Sequence, residues 1–202
     1  MLANVTSALI AGGKSKRFGS PKEVAQYGGK RLIDYAISTA QSISRDTIII
    51  GPEEGSAFMH TNIPVYKDLI ADCGPLGGIY TALYYAKEKY VAVLPVDMPL
   101  LNLKIYRALY PSLNDYKPVV ACSHKGIEPL VSIWPAGTLP ELKVQIDKKD
   151  FRLYYLLKKL HAIEINFAKL PDYEHDWFEN INYKKDINLL KKNTIFKIEK
   201  IR

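Results

Sequence analysis

Cysteine is scarce in this 202-residue chain: Cys73 and Cys122 stand far apart, with no histidine or second cysteine at metal-ligand spacing. That pattern excludes a zinc module and a disulfide scaffold, and both residues read as free thiols. The four histidines, His60, His124, His161 and His175, form neither a triad pattern nor a ligand pair, and read as ordinary surface or hydrogen-bonded residues. No apolar run is long enough to cross a membrane, since the stretch over residues 90–101 is broken by Pro95, Asp97 and Pro99. The first seven residues lack a basic stretch followed by an apolar one, so no secretory signal is read there and a cytoplasmic location is expected. Neither Gly-x-x-x-x-Gly-Lys-Ser/Thr nor Gly-x-Gly-x-x-Gly occurs, which removes the two most familiar nucleotide loops.

What is present suits a folded domain. Hydrophobic residues make up 48% and charged residues 24%, the balance of an ordinary globular protein. The length fits a single domain over residues 1–202. The net charge of +7 comes from lysines spread along the chain and densest at Lys184-Lys185 and Lys191-Lys192, so it reads as a solvated face. No helix-turn-helix, zinc or RNA-binding signature accompanies it, which argues against nucleic acid as a partner. A basic pocket for a phosphorylated small molecule accounts for the charge equally well.

Short β-branched or apolar runs at residues 7–11, 47–50, 63–66, 90–96, 119–121, 129–134 and 162–166 alternate with helical patterns. This alternation predicts an α/β fold, three-layered and Rossmann-like, with a mostly parallel central sheet covered by helices on both faces. A helix over 32–42 sets Ile33, Ala36, Ile37 and Ala40 on one stripe, and one over 76–87 does the same with Ile79, Leu83 and Ala86. Further helices are expected over 103–110, 139–146, 151–160 and 185–192. Residues 193–202 read as a short strand or a basic tail.

The segment Ala11-Gly12-Gly13-Lys14-Ser15-Lys16-Arg17-Phe18-Gly19-Ser20-Pro21-Lys22 follows the first strand. Without side chains, Gly12 and Gly13 let backbone N–H groups close on phosphate oxygens. Lys14, Lys16, Arg17 and Lys22 supply cations for a triphosphate, while Gly19 and Pro21 shape the far end of the loop. By itself such a loop also suits a plain strand-to-helix turn, so the assignment needs the rest of the chain.

Together with Gln26-Tyr27-Gly28-Gly29-Lys30-Arg31-Leu32-Ile33, the segment from Leu9 to Gly19 and Lys22 resembles the opening signature of nucleotidyltransferases that activate sugars and cofactors. Three later motifs narrow the resemblance to the molybdenum cofactor guanylyltransferases. They are Asp68 with Cys73-Gly74-Pro75-Leu76-Gly77-Gly78-Ile79; Val93-Leu94-Pro95-Val96-Asp97-Met98-Pro99-Leu100-Leu101; and Ile127-Glu128-Pro129-Leu130-Val131-Ser132-Ile133-Trp134 followed by Glu179-Asn180-Ile181-Asn182. The motifs run in the family's order from Ser7 to about Leu190. Departures fall at Pro21, where the family usually has Asp, at Arg31 for Pro, at Glu128 for His, and at Gly51, near where some members carry Asn.

The resemblance implies an enzyme that joins GMP from GTP to molybdopterin bearing molybdenum and releases pyrophosphate. Ile10, Ala11, Gly12, Gly13, Lys22, Asp68, Gly74, Gly78 and Asp97 would bind GTP. Arg17, Lys22 and Asp97 would carry catalysis, and Arg152, Asn180 and Asn182 would lie on the pterin side. Asp97 follows a buried strand at the end where open α/β sheets bind ligands, so it is expected to hold Mg2+. GTP and molybdopterin are the implied small-molecule partners, with transient contact to other proteins of the cofactor pathway. A cytidylyl-, cobinamide-phosphate guanylyl- or sugar-phosphate nucleotidyltransferase keeps the same fold. A nucleotide-binding module without turnover is the alternative outside enzymes.

Overall fold

The computed structural model describes residues 1–11, 24–51, 58, 61–171, 173–183 and 185–186. In chain order its strands are β1 (Val5–Ile10), β2 (Gln26–Tyr27), β3 (Lys30–Arg31), β4 (Asp46–Ile50), β5 (Val65–Tyr66), β6 (Tyr90–Pro95), β7 (Val119–Ser123), β8 (Gly126–Pro135) and β9 (Ile163–Asn166). The α-helices are α1 (Leu32–Ile43), α2 (Gly74–Tyr85), α3 (Leu103–Leu109), α4 (Leu139–Asp147) and α5 (Leu153–Lys159).

Seven strands form one sheet in the order β5-β4-β1-β6-β8-β7-β9. β1 lies parallel to β4 and β6, β4 parallel to β5, and β7 parallel to β9. β8 alone opposes its neighbours, β6 and β7. The short turn joining β7 to β8 dictates this reversal, because parallel neighbours need a long crossover. As a result, the first residues of β8 arrive at the same end of the sheet as the carboxyl ends of the parallel strands.

Side chains alternate between two cores, as a pleated strand requires. Leu9, Ile49, Ala92, Leu94, Ala121 and Ile133 meet α1 and α3 on one face. Ala8, Ile10, Ile48, Ile50, Val93 and Trp134 meet α2, α4 and α5 on the other. The architecture is thus the three-layer α/β arrangement that the alternating pattern predicts. One buried polar side chain ties a helix layer to the sheet. Tyr106 on α3 donates its hydroxyl to the carbonyl of Val93 over 2.7 Å. On the opposite face, within β8, the buried Trp134 indole N–H is satisfied by the Ser132 hydroxyl at 2.9 Å.

The small β2–β3 hairpin was absent from the sequence expectation, because two-residue strands carry no periodicity. Gly28 (φ 56°) and Gly29 (φ 83°) make its turn, which needs two consecutive left-handed residues. The hairpin delivers Arg31 to the start of α1. There Asp34 accepts from the Arg31 backbone N–H at 3.1 Å and from its guanidinium at 2.7 Å. The guanidinium beside it lowers the Asp34 pKa.

Helix α2 begins two residues earlier than expected and ends at Tyr85. Ala86, expected on its apolar stripe, turns extended just past the helix (ψ 138°) yet still packs on the second core. Of the expected helix over 185–192, residues 185–186 are described and helical. The 193–202 tail lies outside the described residues. Among the described residues, no helix is long and apolar enough to cross a membrane.

Candidate functional site

Of the predicted site residues, Ile10, Ala11, Asp68, Gly74, Gly78 and Asp97 lie around the ends of β1, β4 and β6. Ala11 continues the ladder past β1 by donating its N–H to Ile50 at 2.8 Å, and its side chain is buried. Ile10 points to the opposite core, beneath α2. A Cβ on Gly78 would come within 3.0 Å of Ile10 Cγ2 and 3.8 Å of Asp68 Oδ1. A hydrogen at this position is therefore what lets α2 close onto Ile10 at the end of β1, with Asp68 at ordinary contact distance. The helix opens with Gly74 and Pro75, and among the described residues no side chain caps its first N–H groups. Those donors remain available for an anion.

Asp68 is half-buried, and its Oδ1 is buried without a hydrogen-bond partner. Burial raises its pKa from the ordinary carboxylate value. The segment behind it is pinned: the Leu69 N–H donates to the Thr81 hydroxyl at 3.0 Å, and that hydroxyl donates to the Gly77 carbonyl at 2.8 Å. Thr81 was absent from the candidate residues, since a threonine inside a helix carries no motif signal. Asp68 is thus held rigidly with an acceptor that a ligand N–H would satisfy.

Asp97 follows β6 and is half-buried. Capping of α3 falls to Asn102, whose side chain accepts from the Lys104 N–H at 3.0 Å, so Asp97 has no capping duty there. The Asp97 carbonyl accepts from the Ile181 N–H at 2.9 Å. This bond brings the Asn180-Ile181-Asn182 segment against the carboxyl end of β6. Asp186 then accepts from the backbone N–H groups of Asn182 and Tyr183, each at 2.8 Å, and fixes the turn that follows.

Arg152 stands elsewhere, exposed at the start of α5. It forks onto Asp150 with two 2.7 Å bonds and lies 4.9 Å from the centre of the Tyr155 ring. No hydrogen bond or ion pair joins it to Asp97 or to Asn180–Asn182 among the described residues. Gly12, Gly13, Lys14, Lys16, Arg17, Gly19, Pro21 and Lys22 lie outside the described residues.

A polar group at the β7–β8 turn completes this end of the sheet. The Ser123 hydroxyl donates to Glu128 Oε1 at 2.6 Å, and burial raises the Glu128 pKa. Lys125 pairs with Glu179 at 2.7 Å. His124 Nδ1 lies 2.8 Å from the Tyr173 hydroxyl. The two buried cysteines are free thiols, and burial with Glu164 nearby pushes the Cys122 thiol up to about 12.

The family model described as the MobA-like NTP transferase domain matches residues 7–163, which spans β1, α2, Asp97 and the β7–β8 pair. The chain belongs to this family. A relative from Carboxydothermus hydrogenoformans, named a probable molybdenum cofactor guanylyltransferase, is 30% identical over 95% of this chain and 97% of its own. One from Aquifex aeolicus with the same name is 32% identical over 90% of this chain and 88% of its own. The crystal structure of molybdopterin-guanine dinucleotide biosynthesis protein A from Archaeoglobus fulgidus superposes with a TM-score of 0.79. It shares 23% identity and covers 94% of this chain and 98% of its own, a likeness of fold. Nucleotidyl transfer is the family's chemistry, and the Asp68, α2 and Asp97 geometry lies within its matched span.

Proposed function

We propose that the chain transfers GMP from GTP to the phosphate of molybdopterin bearing molybdenum. An oxygen of the acceptor phosphate attacks the α-phosphorus of GTP in line. One P–O bond forms there, the bond to the β-phosphate bridge breaks, and pyrophosphate leaves with the electron pair. No covalent enzyme intermediate is required, so rate comes from positioning and from stabilising charge.

The observation that carries this reading is the pair of carboxylates flanking the carboxyl end of β1. Asp68 has an oxygen in want of a donor, and guanine presents a ring N–H and an amino group on one edge. The uncapped start of α2 suits the anionic part of the same ligand. Lys22, Arg17 and the Gly12-Gly13 backbone serve the triphosphate in this proposal, with Ile10, Ala11, Gly74 and Gly78 forming the wall that lets it approach.

The family's chemistry uses a divalent metal, and Mg2+ on Asp97 is the proposal here. One half-buried carboxylate fits an ion that takes one or two carboxylates, phosphate oxygens and waters. When bound, the ion supplies charge neutralisation to the phosphates. Among the described residues, no group of three or more His, Cys, Asp and Glu could hold a metal by itself, so substrate oxygens would complete the shell. Asn180 and Asn182, tied beside Asp97 through Ile181, orient the acceptor. Arg152 is assigned to the pterin side by its motif resemblance alone. The chain acts as one domain in the cytoplasm, in transient contact with proteins that supply the pterin.

A nucleotide panel tests the base assignment. With Mg2+ present, GTP raises the melting temperature and CTP leaves it within error. A larger shift with CTP would replace guanylyl by cytidylyl transfer.

A further inference from the structure

We infer that Glu128 reads the donor edge of the acceptor's fused ring, the edge carrying a ring N–H beside an exocyclic amino group, and so selects the acceptor. The inference rests on the guanylyl-transfer reading and deepens its acceptor side.

Register fixes where Glu128 stands. Val93 of β6 faces Ser132 of β8, and Tyr90 faces Pro135, so moving up β6 toward Asp97 moves back along β8 toward Glu128. In the β7–β8 pair Glu128 faces Ala121, which belongs to the α1–α3 core. Cross-strand partners share a face, so the Glu128 side chain lies on that face too. Phe178 and Ile181 complete the same core, with Tyr173 packed against it. Glu128 therefore sits beneath the segment that carries Asn180 and Asn182 to Asp97.

Its chemistry is unexpected for such a place. The reaction handles two polyanions, and a carboxylate beside them repels both. Burial already penalises its charged form. Lys125, the adjacent cation, is committed to Glu179 at 2.7 Å. Ser123 donates to Oε1, and the other oxygen has no hydrogen-bond or ion-pair partner among the described residues. A phosphate has nothing to donate to that oxygen. A pterin's amidine-like edge offers two parallel N–H groups, the fork that a carboxylate accepts. A role as general base is unnecessary, because a phosphate monoester has its second pKa near ~6 and arrives already ionised.

The test compares binding of pterin monophosphate with lumazine monophosphate, whose 2-oxo group replaces the amino group, using each ring's own fluorescence. Wild type should prefer the pterin by about tenfold or more, the value of one charge-assisted hydrogen bond. Glu128→Gln presents a donor as well as an acceptor and should bring the two affinities within about threefold, leaving the Kd for GTP unchanged. Equal affinities in the wild type, or a preference untouched by Glu128→Gln, would overturn the inference. Equal wild-type affinities overturn it even where the variant fails to fold. If wild type binds GTP and transfers GMP but ignores the ring edge, Glu128 alone is misassigned. If wild type neither binds GTP nor turns it over, the function falls and the inference with it.

Discussion

The amide of Ile181 donates to the carbonyl of Asp97 over 2.9 Å, so the strand end that carries the carboxylate proposed to hold the metal also positions the late asparagines. The anchor is backbone to backbone and Ile181 is buried, which makes the link insensitive to the chemistry of its neighbours. Asp186 holds the following turn through two N–H groups. Asp186→Ala should therefore loosen Asn182 and raise the KM for the acceptor about fivefold, while the KM for GTP stays unchanged. A net loss of about 1 kcal/mol, the value of one typical hydrogen bond, corresponds to that factor. Steady-state kinetics with each substrate varied in turn checks this split.

Asp68 supplies a pH prediction. Burial raises its pKa, so its charge is penalised in the free protein at neutral pH and the penalty is relieved as pH falls through the raised value. A guanine N–H needs the ionised form. GTP affinity should thus decline on acidification at a pH above the ordinary carboxylate range. Asp68→Asn should leave the melting temperature of the free protein equal or higher and abolish most of the shift that GTP produces. Differential scanning fluorimetry across pH reads both effects.

Gly78 separates packing from chemistry. Valine there would drive methyl groups into Ile10, whose Cγ2 already lies 3.0 Å from the nearest position a Cβ could take. Gly78→Val should displace the start of α2 from β1 and weaken GTP at least about tenfold, besides an overpacking cost of about 1–3 kcal/mol. Isothermal titration of the purified variant, alongside its urea midpoint, gives the two numbers.

Away from the site, Tyr106→Phe removes the donor to the buried Val93 carbonyl. The expected cost is about 1–3 kcal/mol from an unsatisfied acceptor, seen as a lower urea midpoint with an unchanged slope. GTP binding should persist, because this bond ties α3 to β6 below the site.

Much of this architecture was legible in the chain. Ser7 through Ala11, Tyr90 through Val96 and Val119 through Ala121 are short runs bounded by turns, and helical stripes such as Ile33-Ala36-Ala40 intervene. That pattern leaves few choices other than a layered α/β sheet. Asp97 was legible because a carboxylate right after a buried parallel strand has a defined place. The reversal of β8 is implicit only in the shortness of the turn at residues 124–125. The Ile181 bond to Asp97, the Thr81 clasp behind Asp68, and the Ser123–Glu128 pair beneath Tyr173 were not legible. The first rests on a contact between distant stretches, the second on a residue type that has no motif, and the third on a register irregularity at Val120/Ala121 with Tyr173 brought in from far along the chain. Sequence grouped Arg152 with Asn180 and Asn182; at the start of α5 it pairs with Asp150, and among the described residues no hydrogen bond or ion pair joins it to the asparagines.

GMP transfer governed by Asp97 is tested by following product and pyrophosphate together. With GTP, Mg2+ and molybdenum-loaded molybdopterin, wild type should form the guanine dinucleotide and release one pyrophosphate per product. Asp97→Asn should fold normally and slow this by about a hundredfold or more. Pyrophosphate release at the wild-type rate by Asp97→Asn, or no dinucleotide formed by wild type from GTP, would contradict the account.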